Sequence, residues 1–370
     1  MSSSPLSICY LLEDTTLFGG VKVLLHQANL LARRGHRVIL ASKGAAPDWY
    51  PVEAELVEVA EHRPGLVPRA DITVATFWTT LRRAQELPDT QVLHYCQGYE
   101  GLHTHNVADH PEIEALYRQP LPAMVVSPHL REMLASRYRR PSRMAPPPLA
   151  PEFFQGTGGS WLSWISRRRG PRTPARILVV APWEMYLKGV PVAVRAVREL
   201  RRRGIEVQLV RLSQWPLSAE ERGVMEPDEF HLCLPPHEVP ALVEGCDLLL
   251  APSWEAEGFG LPTLEAMACG VPAITSEISS YRTWAQDAVL RVEGDDPLRW
   301  ADAAEHLLTQ RKVWRRQRRA GLQRARDYRE SRAADLTEEA LSWVASGAWQ
   351  LELEALRGAP PASAKVPVAR

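Results

Sequence analysis

An unbroken apolar run, Leu248-Leu249-Leu250-Ala251-Pro252, leads into W-E-A-E-G-F-G-L-P-T-L-E-A-M-A-C-G, residues Trp254 to Gly270, and few folds accommodate that succession. Short uninterrupted runs of this kind suit strands buried on both faces, as in parallel sheets. Beyond the run, Pro262 fits a first helical turn, where it has no N–H to leave unsatisfied. Leu264, Met267 and Ala268 then share one face, and Gly270 with Val271-Pro272 stops the helix. A second short strand follows at Val271 to Thr275. Strand, glycine-bearing loop, helix and strand predict an α/β domain built on a parallel sheet.

The same geometry has a chemical consequence. It aims the backbone N–H groups around Gly260 to Thr263, and the positive end of the helix dipole, past the carboxyl end of the strand, where a phosphate is favoured. Two carboxylates frame the loop: Glu257 before the turn and Glu265 one turn into the helix. Carboxylates repel phosphate, so they make sense as acceptors for hydroxyl groups on either side of it. A nucleotide-sugar has sugar hydroxyls at both ends and phosphates between them.

These residues resemble the signature of the GT-B retaining glycosyltransferases of the large family-four group (glycosyl transferases group 1): Glu, seven residues, Glu. Here it reads Glu257 to Glu265, within E-G-F-G-L-P-T-L-E-A-M-A-C-G-V-P-A. The resemblance implies two Rossmann-like domains facing across a cleft. It also implies transfer of a sugar from a nucleotide-diphosphate donor to a glycan, lipid-linked or small-molecule acceptor, with retention and without a metal or other cofactor. By it Glu257 and Lys188 are catalytic, and Gly258, Phe259, Gly260, Leu261, Thr263 and Glu265 bind the donor. Gly19, Gly20 and Gln97 of the first domain join that set. In the family the loop that carries the lysine has an arginine five residues earlier, also on the donor phosphates. This chain has Lys188 but holds Trp183 at the arginine's place, so a guanidinium is missing unless another, such as Arg211, replaces it. A family histidine facing the donor sugar has Gln97 at the matching place with His94 nearby, and its role stays open between them.

Read in order, Ile8 to Leu12, the Gly19-Gly20 turn, a helix with Val21, Leu24, Leu25, Ala28 and Leu31 on one face, and Val38 to Ala41 form a Rossmann-like opening. Strands are predicted at 55–59, 72–76, 92–96 and 124–127, and a helix from Pro128 to Tyr138. The second domain repeats the pattern: strands at 177–180, 207–212 and 230–234, with a helix over 191–203. The predicted organisation is an acceptor domain over 1–156, a linker over 157–176, a donor domain over 177–330, a helix returning to the first domain over 331–346, and a tail without order over 347–370. Trp161 and Trp164, with the arginines that follow them, are compatible with peripheral contact at an anionic membrane face, although a plain linker is the simpler reading.

At 370 residues the chain suits two cores, and 44 basic residues against 44 acidic ones create no global field for nucleic acid. Five dispersed cysteines lack metal-ligand spacing and fit a reducing compartment. His103, His105 and His110 share a polar loop without an acidic partner to complete a metal site. No signal peptide or membrane span is expected, which points to the cytoplasm. Two rivals share the fold or the binding: a nucleotide-sugar epimerase, and a catalytically silent nucleotide-sugar binding protein.

Overall fold

A computed structural model describes residues 5–155 and 170–358. The chain divides into two compact units, one running up to Pro148 and resuming at Glu330, the other spanning Leu149–Arg329. Trp161 and Trp164 lie outside the described residues, as does the tail from 359 on.

The first unit holds a seven-stranded sheet of β1 (Ser7–Leu12), β2 (Arg37–Ser42), β3 (Glu55–Glu58), β4 (Ile72–Ala75), β5 (Gln91–Cys96), β6 (Ala123–Val125) and β7 (Ser142–Met144). Their order is β3-β2-β1-β4-β5-β6-β7, and every pairing is parallel. The chain reverses its direction of travel across the sheet between β1 and β4, so loops leaving the carboxyl ends there diverge and open a crevice. Helix Gly19–Arg33 is buried without a break from Val23 to Leu31, which a one-faced amphipathic pattern does not predict. The reason is a second layer: helix Glu330–Ala345 covers its outer side. Gln27 Nε2 donates to Thr337 Oγ1 at 2.9 Å, its Oε1 accepts from the Tyr10 hydroxyl at 2.9 Å, and His26 meets Glu330 at 2.7 Å.

The second unit holds a six-stranded parallel sheet: β8 (Ala175–Val180), β9 (Val207–Ser213), β10 (Glu229–Leu232), β11 (Leu248–Ala251), β12 (Ala273–Ser276) and β13 (Leu290–Val292), ordered β10-β9-β8-β11-β12-β13. Its switch point lies between β8 and β11. Helix Val190–Arg202 buries Val190, Val192, Ala193, Val194, Ala196, Val197 and Leu200. They pack with Trp300, Ala301, Ala304 and Leu307 of helix Pro297–Thr309, which Asp296 caps through the Leu298 N–H at 3.0 Å. Each valine or leucine among them contributes about 1.5–3 kcal/mol by leaving water.

One expectation is overturned. Residues 347–358 are not without order, because Ala348–Gly358 is a helix. It buries none of its residues and is held by polar anchors instead: Glu352 pairs with Arg143 and accepts from Trp343 Nε1 at 3.0 Å, while the Arg143 guanidinium lies 4.3 Å from the Trp343 ring.

Candidate active site

Both loops that carry the second unit's candidate residues leave adjacent central strands at the switch point, one after β8 and one after β11. After β11, the chain reaches helix Leu261–Ala268 through Gly260, whose φ of +82° is left-handed. A Cβ on Gly260 would stand 2.3 Å from the Tyr281 hydroxyl, so only glycine fits. The loop is tied from behind. Ser280 Oγ donates to the carbonyls of Gly258 at 3.2 Å and Phe259 at 3.4 Å, and Trp284 Nε1 donates to Phe259 O at 2.6 Å. Phe259 is buried, stacked on Trp284 with ring centroids 4.3 Å apart, so it braces the loop rather than facing a ligand. Pro262 has no N–H and the Thr263 N–H already bonds Gly260 O at 2.9 Å. Among the described residues this leaves the amides of Gly260 and Leu261 as the helix-start donors of the stretch that could meet an anion.

Lys188 Nζ donates to Glu257 Oε2 at 2.6 Å, and Ser253 Oγ donates to the same oxygen at 3.1 Å. The Tyr281 hydroxyl stands 3.4 Å from both Ser253 Oγ and Thr263 Oγ1. A small pocket is lined by Lys188, Ser253, Glu257, Gly260, Pro262, Thr263 and Tyr281. Burial by itself raises the Glu257 pKa. The Lys188 charge, with hydrogen bonds from Lys188, Ser253 and the Phe259 N–H, outweighs burial and holds the carboxyl below its ordinary value. Glu265, 7% exposed, lies in the helix outside the pocket lining.

The β8 loop is shaped to meet the β11 loop. Tyr186–Lys188 forms one 3-10 turn, closed by Gly189 at φ +60°. A Cβ on Gly189 would lie 2.0 Å from Pro252 O, and Trp254 N donates to Leu187 O at 2.8 Å. Trp183 is 5% exposed and belongs to the unit's core, with the Arg195 guanidinium 5.9 Å from its ring. Arg211 does not replace the missing guanidinium. It is fully buried, paired with Glu221 at 2.5 Å, and donates to Val179 O at 2.7 Å and Ala181 O at 2.8 Å. A guanidinium with no exposed surface, held by a carboxylate and two backbone carbonyls, is not presented to a phosphate.

In the first unit, Gly19 and Gly20 open helix Gly19–Arg33, and the Gln97 side chain lies over Gly20, its Oε1 3.5 Å from where a Cβ would be. His94 is buried in β5 with its ring edge-on to Tyr117 at 5.2 Å, and neither ring nitrogen has a hydrogen-bond partner among the described residues. Burial, then the Arg140 charge, pushes its pKa well below the usual histidine range. Gln97, not His94, therefore stands at the open end of β5. Behind Gln97, burial raises the Glu100 carboxyl to about 7, and Glu100 accepts from the Tyr117 hydroxyl. His110 bonds the His103 carbonyl at 3.2 Å, and among the described residues no group of three or more His, Cys, Asp or Glu could hold a metal ion. No described helix is long and apolar enough to cross a membrane. Sequence reasoning missed Ser253, Tyr281, Ser280 and Trp284. The one available signal was Ser253, a hydroxyl directly after the strand-ending Pro252.

Residues 174–310 match the family model described as "Glycosyl transferases group 1". A D-inositol 3-phosphate glycosyltransferase of Corynebacterium jeikeium is 34% identical over 137 residues, 33% of this chain and 32% of that protein. One from Stackebrandtia nassauensis is 32% identical over 198 residues, 48% of this chain and 44% of that protein. The chain thus spans less than half the length of the curated relatives it matches. Among solved structures, a sucrose-phosphate synthase from Thermosynechococcus elongatus superposes with a TM-score of 0.69 at 15% identity, covering 95% of this chain and 100% of that one. HepE of Anabaena, in complex with UDP and glucose, superposes at 0.67 with 13% identity, covering 91% and 99%. The fold is GT-B.

Proposed function

We propose that this GT-B protein, whose residues 174–310 carry the group 1 glycosyl transferase match, is a retaining glycosyltransferase that moves a sugar from a nucleotide-diphosphate donor to a glycan, lipid-linked or small-molecule acceptor. The observation that carries the reading is the Lys188–Glu257 pair at 2.6 Å, set beside the start of helix Leu261–Ala268 at the switch point. An arriving diphosphate exchanges its oxygens for the carboxylate on Lys188 and takes the Gly260 and Leu261 amides. Glu257 is then released to accept hydroxyls of the transferred sugar, and Glu265 accepts those of the ribose. As the bond from the anomeric carbon to the phosphate oxygen breaks, its electrons stay on the phosphate. Lys188 and the helix N-terminus stabilise that growing charge. The acceptor hydroxyl bonds the anomeric carbon on the same face and passes its proton to the leaving phosphate, which preserves the configuration. With these groups on the phosphates the reaction needs no divalent cation.

The relatives support the substrate classes: HepE is described in complex with UDP-glucose, and the curated relatives are named D-inositol 3-phosphate glycosyltransferases. A binding protein without turnover is the second reading, favoured by the burial of Trp183 where a phosphate-binding arginine is expected. Incubation with UDP-, GDP- and dTDP-sugars in excess EDTA decides between them. The expected result is slow release of free sugar and, with acceptor, a product of retained configuration. Intact donor refutes transfer, and activity restored only by magnesium or manganese refutes metal independence.

A further inference from the structure

Two aromatic stacks flank the candidate site, and they differ in what they leave open. Phe259 on Trp284 is buried and braces the loop. Tyr186 on Trp254 is not: its rings are nearly parallel, 12° apart with centroids at 5.0 Å, and Tyr186 is 57% exposed. Tyr186 opens the turn that ends in Lys188, and Trp254 precedes Glu257 by three residues with its carbonyl accepting the Glu257 N–H at 2.9 Å. The pair is rigid, because Trp254 N bonds Leu187 O and Gly189 packs on Pro252 O. The stack leaves the outer face of the Tyr186 ring open to a ligand on the turn that carries Lys188, the partner of Glu257.

We propose that Tyr186 and Trp254 form an aromatic platform for the apolar C–H face of a pyranose ring. This rests on the glycosyl-transfer reading, which puts the nucleoside near Glu265 and the sugar near Lys188 and Glu257. A ring stacking beside Lys188 is accordingly a sugar, not a base. Rigid aromatic rings give large contact area with little entropy lost, while the hydroxyls around the sugar's edge remain free for Glu257. The ring belongs either to the donor's sugar or to a sugar of the acceptor.

The test compares wild type with Tyr186→Ala and Tyr186→Phe. Calorimetry uses UDP-glucose, GDP-mannose and dTDP-glucose against UDP, GDP and dTDP, and saturation-transfer NMR uses methyl α-D-glucopyranoside and maltose. Tyr186 is exposed, so all three proteins should melt together. A platform for the donor lowers nucleotide-sugar affinity tenfold or more in Tyr186→Ala while nucleotide affinity changes less than twofold. A platform for the acceptor leaves both affinities unchanged and abolishes saturation transfer to the free glycosides. In either case Tyr186→Phe, which keeps the ring, behaves as wild type. If nucleotides bind and Tyr186→Ala changes neither measurement, the platform is refuted alone. If wild type binds no nucleotide, the glycosyl-transfer reading fails and the platform with it.

Discussion

Lys188 is the counter-charge that keeps Glu257 ionised while 7% exposed, and in the proposed function it is also the cation that meets the donor phosphates. Replacing it with alanine should lower turnover roughly a hundredfold, more than it lowers donor affinity, because the contact strengthens as the leaving phosphate gains charge. It should also destabilise the fold by about 2 kcal/mol at neutral pH, less than for a fully buried pair because Lys188 is 23% exposed. The depressed Glu257 pKa contributes stability that is present above the ordinary carboxyl value of 4.5 and lost as pH falls through the lower folded value. The melting difference between variant and wild type should therefore shrink in acid. A constant difference, or near-normal turnover, contradicts the dual role. Glu265→Ala should weaken nucleotide binding by about 1.5–3 kcal/mol through lost charge-assisted hydrogen bonds, as titration calorimetry would read. Unchanged affinity removes Glu265 from the ribose. The family resemblance singled these residues out, and the strand, loop and helix around them were readable locally. Arg211 misled because nothing local shows that Glu221, ten positions on, turns its guanidinium into the sheet.

At the level of the element, strand–loop–helix units were readable wherever an apolar run met glycine or proline. The edges were not. β7 (Ser142–Met144) hides among arginines and prolines, and β13 (Leu290–Val292) is only three residues with an arginine at its centre. Three residues are too few to show a period-two pattern, so these sequences carry little strand signal. Helix Ala348–Gly358 escaped for a related reason, its anchors being polar contacts of Glu352 and Arg357 instead of an apolar face. Conversely, the turn at Gly260 was legible as a helix start, but not the phenol of Tyr281 that fills the space beside it. Gly260→Ala meets both a left-handed backbone and that hydroxyl at 2.3 Å, and it should cost about 3 kcal/mol or more while weakening donor binding. Thermal unfolding together with nucleotide titration checks this, and a variant equal to wild type in both would show that the loop tolerates a side chain there.

For the whole molecule, stability should carry the signature of one buried acid in the first unit. Glu100 is raised from 4.5 to about 7 by burial, so between those values the unfolded chain releases a proton the folded one keeps. Stability present below pH 4.5 is lost as pH rises to about 7, on the order of 3 kcal/mol across the interval. Glu100→Gln retains an acceptor for Tyr117 and should flatten that slope, melting above wild type at pH 8; chemical denaturation between pH 5 and 8 measures it. Two repeats of the same strand–helix pattern announced two units in the sequence, whereas their division rests on pairings that span the chain. The second unit is an uninterrupted segment whose two ends lie together: Leu149 bridges Arg329 in parallel and its N–H bonds the Tyr328 carbonyl at 2.9 Å. The unit is thus laced shut at its own neck, like a purse closed by a drawstring. Evolution or an engineer could exchange everything from Leu149 to Arg329 as one cassette, with two neighbouring junctions to rejoin and no strand of either sheet cut.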